Sequence, residues 1–103
     1  MKVQMLAEAV SNAAVAAQSS VDLDNKTPFL PGRKVEAFIE RSPDATASGT
    51  IVIQGSDDDS TWTTVLTSSA LAGKRAMVDA YRYMRANMTV AGTAGTYNAG
   101  IRA

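Results

Sequence analysis

Apolar and polar residues alternate with a period of two through much of this chain, the spacing of strands with one face buried. The clearest run is Tyr81 to Val90, which holds no Gly or Pro. Met84, Ala86, Met88 and Val90 fall on one face of it, and Tyr81, Tyr83, Arg85, Asn87 and Thr89 on the other. The first face suits a core. The second combines two tyrosines with an arginine and an asparagine, a mixture suited to a wet surface that another protein can grip.

The same period marks further strands. Val3, Met5, Ala7 and Ala9 alternate in the first ten residues, although Leu6 to Gln18 is rich enough in Ala to pass for a helix. Extended structure is preferred, because Ser11, Asn12, Ser19 and Ser20 break the segment and leave no apolar stripe at helical spacing. Residues 1–20 are therefore read as a first strand and an N-terminal arm whose small, uncharged part, Ser11 to Ser20, orders only against neighbours. Val21 and Leu23 make a short strand that the stretch Asn25 to Pro28 must end, since proline donates no ladder hydrogen bond. Phe29 and Leu30 then either plug one end of the domain or stay exposed as an anchor, with plugging the expectation.

Lys34 to Glu40 places Val35, Ala37 and Ile39 on one face, and Thr50 to Gln54 is the most β-branched segment. Between them, residues 41–49 form a long polar connection. Gly55 to Ser60 is the strongest turn signal and leads into Thr61 to Thr67, so the two strands around it read as a hairpin, its turn held by Asp57. Trp62, the single tryptophan, is expected to seal one end of the core. Ser68 to Lys74 reads as a loop with a possible helical turn, Arg75 to Ala80 as the approach to the run at 81–90, and Thr96 to Arg102 as the final strand. About seven or eight short, turn-separated strands without a long helix predict an all-β sandwich or jelly-roll domain over residues 21–103, preceded by the arm.

Composition sharpens this picture mainly by exclusion. A single domain of 103 residues buries only about two-thirds of its unfolded surface, so a thin core and association with other chains are expected. Ten Lys and Arg balance ten Asp and Glu without a basic cluster, which gives no electrostatic footprint for nucleic acid or anionic lipid. Lys2 ahead of Val3 to Ala7 imitates a signal peptide, but Gln4, Glu8, Ser11 and Asn12 interrupt the apolar run, so no leader is read there. No stretch approaches the roughly 20 apolar residues of a membrane-spanning helix.

Histidine and cysteine are both absent, which removes the commonest general base, the commonest zinc ligand and any thiol chemistry. A serine or threonine nucleophile would then need a lysine base, and neither S-x-x-K nor G-x-S-x-G occurs. Asp57, Asp58 and Asp59 are the one local carboxylate cluster. They lack the alternate spacing and closing glutamate of a calcium loop and are read as a solvated turn. Lys74 with Arg75, or Arg82 with Arg85, could clamp an anion, and charged strand ends explain them as well. Tyr81, Tyr83 and Arg85 could form a sugar platform or, with planar guanidinium pairing, a protein anchor. No enzyme, cofactor or metal is expected.

Taken together, Ser20 to Leu23, Gly55 to Asp58, Trp62 to Val65, Tyr81 to Arg85 and Thr89-Val90 resemble small structural proteins of tailed bacteriophages, most closely the capsid decoration, or cement, proteins. Similar strings occur in phage tail and baseplate sandwiches, which stand as the alternative, with a carbohydrate-binding module using Tyr81, Tyr83 and Trp62 as a second. The resemblance implies a virion protein on the outer capsid surface, made in the host cytoplasm. It implies no catalysis, with the major capsid protein and further copies of itself, as dimer or trimer, for partners. Candidate contact residues are Val3, Met5, Leu6, Val15, Phe29, Leu30, Tyr81, Tyr83 and Arg85. The arm is expected to reach across a capsomer or a sister subunit.

Overall fold

The structure, a computed structural model, describes residues 2–24, 26–43, 49–69 and 73–103. Among them are nine strands and no helix: β1 (Val3–Ser11), β2 (Ala16–Ala17), β3 (Val21–Asp22), β4 (Lys34–Arg41), β5 (Thr50–Ser56), β6 (Thr63–Ser68), β7 (Lys74–Asp79), β8 (Tyr83–Val90) and β9 (Thr96–Arg102). They form two sheets in which every pairing is antiparallel. One has the order β1-β9-β4-β7; the other has β8 between β5 and the short pieces β2 and β3, with β6 at its far edge. Since β2 and β3 lie along the same side of β8, they are two halves of one interrupted strand. Counted so, eight strands change sheet at every connection except the β5–β6 hairpin, the double Greek-key order of a jelly roll, and the expected all-β sandwich is what forms.

The core lies between the sheets because each strand sends alternate residues inward. Val35, Ala37 and Ile39 of β4, Ile51 and Ile53 of β5, Met84, Ala86 and Met88 of β8, and Tyr97, Ala99 and Ile101 of β9 are wholly buried. Each of the larger of these side chains contributes roughly 1.5–3 kcal/mol by leaving water. The short dimension of the molecule is 17 Å, enough for two sheets about 10 Å apart and their outer side chains.

The N-terminal residues are part of this sandwich. β1 runs along β9 from Val3, opposite Arg102, to Ser11, opposite Thr96. Two register shifts and a left-handed backbone at Ala9 (φ 46°) bulge it, which blunts it as an edge. Ser11 to Ser20, expected to order only against neighbours, finds its partners within the chain. Asn12 is fully buried, Ala16 and Ala17 pair with Met88 and Asn87, and the Gln18 amide donates to the Ala86 carbonyl at 2.8 Å. The boundary drawn at residue 20 therefore separates β2 from β3, which share one partner strand. Leu6 and Ala7 belong to the core cluster.

Residues 75–80 also differ from expectation. They are not the approach to the strand at 81–90 but a strand of the other sheet, with Lys34 to Ile39 opposite Asp79 to Lys74. The chain crosses between sheets at 80–82, and the alternation restarts there. Tyr81, which strict alternation puts beside Tyr83 on the outside, is turned toward the core. Gly55 is what admits it, since a Cβ at that position would overlap the Tyr81 ring. Tyr81 thus closes the end of the sandwich where Trp62 was expected. Trp62 stands outside the core, half-buried beneath Arg85. Phe29, 5 % exposed, plugs the same end with Leu23. The expected loop residues 44–48 and helical turn at 70–72 lie outside the described residues.

Candidate functional site

Two outer faces and the turn at 57–61 hold the surface chemistry. The turn is set by Asp58 rather than Asp57. Its carboxylate accepts the Ser60 and Thr61 amides at 3.0 and 2.8 Å and the Ser56 hydroxyl at 2.9 Å. These bonds, led by the Thr61 amide, hold the Asp58 carboxyl below the usual carboxylate range. Among the described residues no group of three acidic side chains is placed to hold a metal ion.

On the outer face of β8, β5 and β6 the register sets Arg85 beside Gln54 and Thr64, with Asn87 beside Val52 and Thr67 in the next row. Arg85 is fixed twice. Its Nε donates to Gln54 Oε1 at 2.9 Å, and its guanidinium lies 4.2 Å from the centre of the Trp62 ring. Asn87 donates to the same Gln54 oxygen at 3.5 Å. One row further along, Tyr83 sits between Ser56 and Asp22. Arg82 stacks over Tyr83 at 5.0 Å and pairs with Asp22 at 3.3 Å. The Asp22 carboxyl is held below its ordinary range, first by the Asp24 amide and then by Arg82. The face therefore presents an ordered arginine–tryptophan–tyrosine ladder, the side-chain types that dominate protein contact energies.

The outer face of β1, β9, β4 and β7 is built differently. Phe38 folds over Gly100, where a Cβ would meet its ring at 2.8 Å, and Arg102 stacks on Phe38 at 4.2 Å. Arg102 also pairs with Glu36 at 2.7 Å and Glu40 at 3.8 Å. Val3 and Met77 flank this centre and are half or more exposed, at 50 % and 62 %.

The structure divides the nine predicted contact residues. Tyr83 and Arg85 stand together on the β8 face. Val3 and Met5 lie on the opposite one, Met5 half-buried across from Gly100. Val15 is exposed at the start of β2, and Leu30 is half-buried in the loop before β4. Leu6 and Phe29 pack into the core and Tyr81, partly buried, packs against it, so all three leave the surface set: Leu6 as an inward residue of β1, Phe29 and Tyr81 at the end of the sandwich. A sugar platform made of Tyr81, Tyr83 and Trp62 is dismantled by the same packing: Tyr81 points inward, and arginines stack on the other two. Sequence reasoning placed Asn87 on the face of Arg85 but missed Trp62 and Gln54 as its neighbours. Only the pairing of β5 with β8 and with β6 joins them.

Compared with protein-family models, curated proteins and solved structures, the chain has no match.

Proposed function

We propose that the protein is a structural component of a tailed-bacteriophage virion, a decoration protein that binds the outer surface of the head and bridges neighbouring major capsid proteins. The resemblance at residues 20–23, 55–58, 62–65, 81–85 and 89–90 supports this reading, as does the jelly-roll order into which those segments fold. The observation that carries it is the ladder on the β8 face. Adhesion without chemistry favours side chains that are rigid before contact, because little rotamer freedom is then lost on binding. Arg85, Trp62 and Tyr83 serve as anchors and Val15 and Leu30 as apolar margins, while Val3 and Met5, on the opposite face, lie outside this contact. The role uses no cofactor, nucleic acid or lipid.

Titration of purified protein onto expanded heads tests the proposal. Arg85→Ala and Trp62→Ala should each weaken binding tenfold or more, about 1.4 kcal/mol, with the β-type circular dichroism unchanged. Undiminished binding by both variants, or retention on DNA-free tails in place of heads, overturns it. Deletion of residues 1–20 is not a usable test, because it removes β1 together with the core side chain of Leu6.

A further inference from the structure

The outer face of β1, β9, β4 and β7 is nearly its own complement. Read across the sheet, one row is Val3, Arg102, Glu36, Met77; the next is Met5, Gly100, Phe38, Arg75; and Asn98 stands beside Glu40 in a third. A two-fold axis lying in the plane of contact, parallel to the strands and between β9 and β4, brings each row against itself reversed. Val3 then meets Met77, Arg102 meets Glu36, Met5 lies along the aliphatic stem of Arg75, the Phe38 ring seated over Gly100 faces the same pair in the second copy, and the Asn98 amide faces the Glu40 carboxylate. No like charges oppose one another. The β8 face lacks this property, because the corresponding operation sets Asn87 against Val52.

We propose that this face is a homodimer interface, its occupant a second copy of the chain packed sheet to sheet. The symmetry is isologous, so each complementary contact occurs twice. Two Arg102 and two Glu36 alternate at the centre, where each arginine, already stacked on Phe38 and paired within its own chain with Glu36 at 2.7 Å and Glu40 at 3.8 Å, gains a third carboxylate. Val3 and Met77, left exposed in the single chain, form the apolar margins. Aligned sheets pack within about 30° of each other, which the shared strand direction satisfies. Four strands about 4.8 Å apart give a face on the order of 20 by 20 Å, below the standard size of stable contacts, so the dimer is a weak one that dissociates on dilution. The inference rests on the strand register and the outward side chains of this face and stands apart from the virion role, to whose self-association it would give a surface.

Sedimentation equilibrium on the full chain over rising concentration tests it. The unaltered protein should move toward twice the monomer mass. Glu36→Arg and Arg102→Glu should each weaken self-association at least tenfold, since each sets like charges face to face. An equimolar mixture of the two should dimerise again with an affinity close to that of the unaltered chain, because their faces are complementary to each other and not to themselves. Met77→Lys, at an exposed position, should weaken the dimer with the fold intact, and with Val3→Lys it carries the test should a charge variant fail to fold. Arg85→Ala, on the far face, should leave the dimer unchanged. A mixture that stays monomeric, a Met77→Lys chain that dimerises as before, or an unaltered chain monomeric at every concentration overturns the proposal.

Discussion

The two ends of the sandwich are closed by opposite chemistry. At one end Leu23, Phe29 and Ala80 are buried beside Tyr81, whose ring occupies the space that Gly55 leaves vacant. At the other, Arg41 donates to the Gly49 carbonyl at 2.9 Å, the Ser68 carbonyl at 3.0 Å and Asn12 Oδ1 at 3.1 Å. Asn12 in turn donates its backbone and side-chain amides to Gly95 and Ala94 and accepts the Gly92 amide. The apolar end is held by volume, which tolerates substitution of similar size. The polar end is held by direction, because one guanidinium joins β4, β5, β6 and the turn after β1, and burial draws its pKa downward without removing its charge. The sandwich thus has a compressible seal and a directional knot.

That difference predicts unequal responses to mutation. Arg41→Met keeps the stem and removes every donor, and should cost about 4 kcal/mol in urea denaturation, since several partly buried acceptors lose a charged partner together. A loss below about 1 kcal/mol would show that the knot is ornamental. Tyr81→Ala at the apolar end should cost about 3 kcal/mol. Gly55→Ala should also destabilise, and far less in the Tyr81→Ala background, because the overlap that penalises it has gone; additive costs would refute the packing argument. Trp62→Ala should cost only about 1 kcal/mol, as expected of an aromatic on an outer face.

The smallest effect is expected at the turn beside the apolar end. The Asp58 carboxyl titrates lower folded than unfolded, so its contribution is complete above the unfolded value of about 3.9 and is lost as pH falls through the lower folded value. Asp58→Asn should flatten the acid limb of a stability-versus-pH curve in that window and leave the neutral range nearly parallel to the parent. Unaltered acid dependence would mean that the bonds to Ser60 and Thr61 contribute nothing. Asp57→Asn serves as the control, since no bond to the turn runs through it.

How much of this could be read from the chain follows from how local each cause is. Strands β4, β5 and β9 were legible because Val35, Ala37, Ile39, Ile51, Ile53, Ala99 and Ile101 repeat at the period of a pleat. The roles of Tyr81 and Trp62 were exchanged, because a crossing between sheets resets the alternation and only a glycine in a distant strand reveals which aromatic can turn inward. The Asn12–Arg41 knot joins residues 29 apart, and no spacing rule points to it. The contact ladder was half visible. Tyr83 and Arg85 share a strand, whereas Gln54 and Trp62 reach Arg85 only through the pairing of β5 with both β8 and β6. Asp58 was mistaken for Asp57 because three identical residues carry no local sign of which one faces the amides.

The placement of β8 and β9 has a consequence for how the protein is made. Both come late in the sequence, yet each is an inner strand: β9 lies between β1 and β4, and β8 between β5 and the β2–β3 pair. A ribosome releasing about 5–20 residues per second therefore presents the first three strands seconds before their partners exist. Leu6 and Val21 must wait in water or against a chaperone until the C-terminal segment emerges. Assembly of the nascent chain is consequently a late, concerted closure, and a stall before β8 would leave an adhesive, half-built molecule in the cell.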